Sequence, residues 1–400
     1  SEGTDLGLRV FKGKRQATVS ISDLSGDAID EMAERAVVMA SVAPEDPYCG
    51  LADPAQLAKE WDVAALDLYD TAAAAEPDYL QEAALQAEAA ALAVDGVSQT
   101  QGAGAGYSDT NIWLAASNGF EGGYRRTSTS VSCVAISGEG TGMERDYAGE
   151  SRSHAADLPS PHSIGQLAGQ RAAERRGATR PPTGAYPVLF DERISSSLIG
   201  HLVGAINGSS IVRGSSWLRD ALGEQVLPKG MDLIEDPFRP KVSGSRPFDA
   251  EGLPVHKREI VKDGILQSWT LDLATARKLG LESTGNASRG VGGPPSPSVG
   301  NLALTQSDRS RDDLIADMGT GLIITSMIGS TINPTTGDYS RGASGFWVEN
   351  GEITGPVNEC TVAGNLRDFL LRMTAANDAR TYLSRVVPSL LVEGLTIAGK

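Results

Sequence analysis

Apolar and polar positions along this 400-residue chain follow first a period of two and then a helical period. Gly7 to Phe11 and Ala17 to Ile21 read as two strands around a basic turn, the second alternating in the manner of a half-buried strand. An amphipathic helix is predicted over 26–42 after a Ser25 cap, with Ile29, Met32, Ala33, Ala36, Val37 and Ala40 on one face. A second, Ala-rich helix is predicted over 77–95, opened by Pro77 and stopped by Gly96. The Gly-Ala run 102–106 reads as a flexible connector. Strands are expected around the Asn118-Gly119 turn and from Ser130 to Ile136, then a helix over 163–176 ending at Gly177.

Paired prolines in Arg180-Pro-Pro-Thr-Gly184 suggest a boundary, dividing the chain into domains of 1–180 and 181–400. Beyond it, Val255–Val261 and Ile265–Leu271 flank Asp263-Gly264, and Phe346–Glu349 and Glu352-Ile353 flank Asn350-Gly351. Both are two-residue hairpin signals. Residues 285–300, rich in Gly, Pro and Ser, read as a loop. The fold class expected is α+β: a mixed α/β N-terminal domain followed by a β-rich C-terminal domain.

Composition narrows the function classes. Apolar residues make up 40% of the chain and aromatics only 5%, so small side chains should supply much of the packing. A formal net charge of −16 argues against nucleic-acid binding and against docking on anionic membranes. No apolar stretch approaches the ~18 residues that cross a bilayer, and no basic stretch followed by an apolar run opens the sequence, so a cytoplasmic location without signal peptide is expected. The sequence starts without Met, as a processed or truncated end would. Cys49, Cys133 and Cys360 are too far apart for a zinc knuckle and too few for a disulfide framework.

The usual catalytic motifs are missing. The four histidines, His154, His162, His201 and His256, offer no pair one helical turn apart. There is neither a G-x-S-x-G elbow nor a phosphate-binding P-loop. One segment, Ser195 to Arg213, carries Gly200, Gly204 and Gly208 every four residues, with Ala205 beside them. A helix over about 197–208 with such a stripe lets another backbone approach closely, and tight packing is the expectation. A wall of a substrate cavity is the alternative. His201 in this stretch is more often a packed or capping histidine than a catalytic one. Arg341, among Gly, Ser and Ala, either anchors a peptide carboxylate or carbonyl or sits in a surface salt bridge.

The segment resembles the metal-binding helix of the TldD/PmbA metallopeptidase family. Further blocks carry the resemblance: Pro247-Phe-Asp-Ala-Glu-Gly252, Ile260-Val-Lys-Asp-Gly-Ile265, Ala276 to Gly285, Gly337-Asp-Tyr-Ser-Arg-Gly342, Gly345 to Gly351 and Val362-Ala-Gly-Asn-Leu366. It covers nearly the whole chain, is strongest from about 185 onward, and favours the PmbA-type (TldE-type) branch, relative to which the chain starts late. TldD-type subunits carry H-E-x-x-x-H on this helix. The resemblance lays the first His on Gly200, the Glu on His201 and the second His on Ala205, and a further Cys ligand on Met327 within Thr325 to Ser330. It therefore implies no cofactor in this chain and zinc in a TldD-type partner. It also implies a heterodimer with that partner and cleavage of small or unfolded peptides of the microcin-precursor and antitoxin type. On their own chemistry His201 and Arg341 are the substrate-cavity candidates. A homodimer that captures peptides without cutting them, or an independent hydrolase, would be the rival outcomes.

Overall fold

The computed structural model describes residues 2–72 and 75–400. Alternation at the start of the chain produces the expected hairpin: β1 (Leu6–Lys12) pairs antiparallel with β2 (Arg15–Ile21) across a turn in which Gly13 takes a φ of 62°. The helix α1 (Gly26–Val42) lies on it, burying Met32 and Ala36 against Val19. Ile29 and Val37, expected on the inner face, are exposed instead, because only the Met32–Ala36–Ala40 stripe meets the hairpin. Ser25 stands at the N-cap without a side-chain hydrogen bond.

After the single turn α2 (Val63–Leu66), α3 (Pro77–Leu92) leads into a three-stranded antiparallel sheet. Its strands are β3 (Val97–Ala115), β4 (Glu121–Ser137) and β5 (Glu144–Arg152). The run 102–106 is not a connector. It lies inside β3, with Gly104 paired to Ser132 and Gly106 to Ser130. Backbone ladder bonds need no side chain, so a strand can hold glycines that local propensity would place in a loop. The helix α4 (Pro161–Glu174) packs beside α3 over this sheet, with a core dominated by alanines such as Ala87, Ala91, Ala135, Ala168 and Ala172. A Cβ on Gly165 would collide with the backbone of Ala87, so small side chains set the helix spacing here, as the composition suggests.

The C-terminal part is β-rich, and the chain as a whole is α+β. The strand β6 (Gly184–Phe190) is followed directly by α5 (Glu192–Ala205) and α6 (Gly208–Arg213). The short strands β7 (Leu233–Glu235), β8 (Arg258–Lys262) and β9 (Ile265–Leu266) come next, then α7 (Leu273–Leu279). Asp263 and Gly264 form the β8–β9 turn with φ of 47° and 79°, though both strands are shorter than their apolar runs suggest. Residues 285–300 are a loop apart from a two-residue bridge, β10 (Ala287–Ser288) with β11 (Ser296–Pro297). After β12 (Leu302–Leu304) and α8 (Arg311–Met318) come the long strands β13 (Gly321–Ile332), β14 (Asp338–Glu349) and β15 (Glu352–Asn365). The chain finishes with α9 (Leu366–Phe369), β16 (Met373–Ala375), β17 (Arg385–Val386) and β18 (Leu390–Ala398).

The order β15-β14-β13-β6-β18, with β15 also paired to β18, closes five strands into a barrel. Its strands are buried on both faces. Val188, Phe190, Leu322, Ile324, Leu390 and Val392 join the main core with α5, while the alternating Leu189, Ile323 and Leu391 pack against α8.

Candidate functional site

The glycine-striped segment is a helix, but its limits differ from expectation. Asp191 caps α5 through a bond from the Arg193 amide, so the helix starts six residues before Leu198 reaches the core. It stops at Ala205. Asn207 accepts from the Ser209 amide and the Gly208 amide donates to Thr270 O, which starts α6 in a new direction. Leu198, Ile199, Leu202 and Ala205 bury the inner face. The tight-packing expectation for Gly200 and Gly204 is wrong: a Cβ at either would meet no atom within 4 Å. Only Gly208 is closely approached, with Thr270 O at 2.9 Å and the Leu271 side chain at 2.8 Å from an added Cβ. The i, i+4 spacing places Gly200 and Gly204 on one face, and that face is open.

On the core side of α5, the ring of His201 meets Tyr339 edge-on, with centroids 5.8 Å apart. Tyr339 is buried, packs on Phe369, and donates its hydroxyl to Met327 Sδ at 3.1 Å. Two bulges interrupt the β13–β14 register, between Ile324 and Ser326 and between Ile328 and Thr331, and the second lies between Met327 and Ile332, the partner of Tyr339. Arg341 donates Nε to Gly329 O at 2.7 Å. Burial, reinforced by the Arg341 charge, pulls the His201 imidazole down to about 4, so it is neutral at pH 7. Burial pushes the Tyr339 phenol up to about 12, against a smaller opposing pull from Arg341. His201 Nε2 is buried and has no hydrogen-bond partner among the described residues.

Beside this cluster lies a cavity of about 310 Å³, lined among others by Arg193, Ser197, Thr325, Met327 and Arg341. Met327 and Arg341 are thus wall residues, whereas His201 is linked to the cavity through Tyr339 and Met327. The hydroxyls Ser197 Oγ and Thr325 Oγ1 are buried and unpartnered. Arg193 is held by Asp146 at 3.0 Å and Asp191 at 3.4 Å. Sequence reasoning missed Tyr339, Arg193, Ser197 and Thr325. The alternation Tyr339, Arg341, Ala343 along β14 was a usable signal for the first, since it sets Tyr339 on the strand face of Arg341.

Of the positions expected from a degenerate metal site, His201 and Met327 both contact Tyr339, while Gly200 and Ala205 lie on α5. Gly200 and Ala205 offer no side-chain donor, Met327 offers a thioether already bonded to Tyr339, and one imidazole remains. Among the described residues no three His, Cys, Asp or Glu side chains gather in the manner of a metal site. The remaining histidines lie elsewhere, His154 bonded to Asp67 at 3.2 Å and His162 and His256 exposed. Among the described residues no helix is long and apolar enough to cross a membrane.

Helix α5 and the barrel strands β13 and β14 together wall this cavity. Three family models match: the PmbA/TldA metallopeptidase C-terminal domain at residues 183–399, its central domain at 70–176 and its domain 1 at 1–40. The chain belongs to the PmbA/TldD metallopeptidase family. It is 39% identical to the metalloprotease PmbA of Escherichia coli O157:H7, over 99% of this chain and 86% of that relative. A crystal structure described as a modulator of DNA gyrase, from Bacteroides thetaiotaomicron, matches with a TM-score of 0.89 and 30% identity, over 98% of this chain and 88% of the other. TldE from Thermococcus kodakarensis shares the fold, with a TM-score of 0.82 at 22% identity over 98% and 89% of the two chains.

Proposed function

We propose that this chain is a noncatalytic subunit of a cytoplasmic two-chain metallopeptidase, in which a TldD-type partner supplies the zinc and this chain forms part of the cavity that holds small or unfolded peptides. The observation that carries the reading is the pair Gly200 and Ala205 on α5, at the positions where the resemblance expects two histidines. Neither has a side-chain donor, and the neighbouring Met327–Tyr339 bond and neutral His201 favour a packed cluster over a metal centre. The cavity beside the cluster, with hydroxyls and a guanidinium, is suited to holding a peptide, and among the described residues no metal-ligand cluster faces it. Zinc would polarise the scissile carbonyl and activate water in the partner.

The test is elemental analysis and a peptidase assay on this chain alone, on a TldD-type chain alone and on the mixture, with sedimentation to follow assembly. A metal-free chain that is inactive alone but joins the TldD-type chain in an active complex supports the reading. A chain that dimerises with itself and binds peptides without any effect on the TldD-type chain replaces it with a self-sufficient peptide-binding protein. Zinc-dependent cleavage by this chain alone overturns it.

A further inference from the structure

The wall of the cavity beside α5 is unbalanced in charge. Among the described residues no Asp or Glu lines it. Of its two arginines, Arg193 is neutralised by Asp146 and Asp191. Among the described residues Arg341 has no acidic partner; its Nε donates to Gly329 O, and its side chain also reaches the Tyr339 phenol. The Ser197 and Thr325 hydroxyls add two buried donors with nothing to donate to. Buried polar groups are nearly always satisfied, so a cavity that leaves donors unmet beside an unpaired guanidinium is complementary to an acceptor-rich anion. A planar, bidentate carboxylate matches the guanidinium fork best. The cavity volume of about 310 Å³ corresponds to roughly ten waters, room for the end of a peptide and too little for a folded partner.

We infer that Arg341, Ser197 and Thr325 form a carboxylate-anchoring subsite, which takes the C-terminal carboxylate of a bound peptide or an acidic side chain near its end. The inference rests on the peptide-holding reading above and names what this chain recognises. Tyr147 of β5 also lines the cavity, so the subsite is built between the three-stranded sheet and the barrel.

The test uses three fluorescein-labelled probes: pentaalanine with a free carboxylate, its C-terminal amide, and the same amide with Glu as the penultimate residue. Fluorescence anisotropy gives the affinity of each for the full chain, alone and with a TldD-type chain. The acid should bind at least about tenfold tighter than the plain amide, the effect of one charge-assisted contact. Recovered affinity for the Glu-containing amide identifies an acidic side chain as an accepted source, and no recovery assigns the subsite to the chain end. Arg341→Gln should abolish the acid's advantage and Arg341→Lys should keep part of it. Thr325→Val, which retains side-chain shape, should reduce it several-fold, so the test survives a misfolded Arg341 variant. Equal affinity for acid and both amides, or no binding of any probe in either setting, overturns the inference. Cleavage by the two-chain complex with no acid preference would sink the subsite alone. A chain that cleaves by itself would sink the noncatalytic reading, while the acid-to-amide ratio would still decide the subsite.

Discussion

The Tyr339 hydroxyl donates to the thioether sulfur of Met327 across 3.1 Å, joining two strands at the position where the resemblance expects a metal-binding thiolate. A thioether engaged with a phenol, near two residues without donor side chains, holds zinc poorly. The purified chain should therefore carry no stoichiometric transition metal, and Met327→Cys alone should not create a site. Elemental analysis finding about one zinc per chain, lost on substitution near Gly200–Ala205, would refute this. Met327→Leu should cost about 1 kcal/mol in denaturant unfolding because Tyr339 is buried and loses its acceptor. Adding Tyr339→Phe should recover part of that loss.

Gly204 and Gly208 should respond oppositely to alanine. Gly204→Ala places a methyl in open space on α5 and should stabilise the chain by up to about 1 kcal/mol. Gly208→Ala drives a Cβ toward Thr270 O and Leu271 and should destabilise it by about 1–3 kcal/mol. Thermal unfolding of the two variants decides the matter, and matching signs would show that the helix face is assigned wrongly.

Asp146 is the shared acceptor of Arg175 at 3.4 Å and Arg193 at 3.0 Å, and its side chain is only 3% exposed. Removing it leaves two guanidinium groups in low dielectric. Asp146→Ala should lose about 3 kcal/mol, softened by Glu144 near Arg175 and Asp191 near Arg193. Arg193 lines the cavity, so peptide affinity should fall together with stability. Urea unfolding and the anisotropy assay measure the two effects, and an unchanged urea midpoint would contradict the network.

Glu251 predicts the pH dependence of stability. Burial, with help from Asp249 and Asp272, pushes its carboxyl up to about 8, against the Leu273 amide, which donates to it at 2.9 Å, and Arg9, 3.8 Å away. Arg289 is a further cation facing it. Folding favours the neutral acid. The contribution is therefore complete below the unfolded carboxylate's value near 4.3 and is lost as pH rises through about 8. Glu251→Gln should remove this loss, so wild type should weaken relative to the variant between about pH 5 and 8.5. Parallel urea curves for the two proteins across that range would show that Glu251 is ionised throughout.

His201 should stay neutral well below the usual histidine range, since burial and Arg341 lower it to about 4. Nitrogen-15 spectra of the imidazole recorded from pH 7.5 down to pH 5 should show one neutral tautomer. Titration near the unperturbed value of about 6.5 would place His201 in water.

Local chemistry determined much of this protein in advance. Asn350-Gly351 and Asp263-Gly264 are left-handed turns because those residue types tolerate positive φ, and they take φ of 54° and 78°, and 47° and 79°. The alternation of β2 and the alanine faces of α3 and α4 likewise carried their own instructions, and the sum of such patterns carried the α+β class. What lies opposite a face is a different kind of fact. Four-residue spacing put Gly200 and Gly204 on one side of α5, but only the barrel and the main core decided that this side is open and that Leu198 and Leu202 point inward. The run 102–106 became a strand because β4 offered it hydrogen bonds from residues nearly thirty positions away. Tyr339 meets Met327 only because β13 and β14 pair, and Arg193 finds Asp146 from 47 residues along the chain. Propensity and periodicity act over a turn or a few residues, so the sequence by itself determined the turns and the spacing of each helix stripe, but neither the strand at 102–106 nor which face is covered. The cavity is made by side chains that folding alone brings together, so only the tertiary structure decided which of them are left unpaired around it.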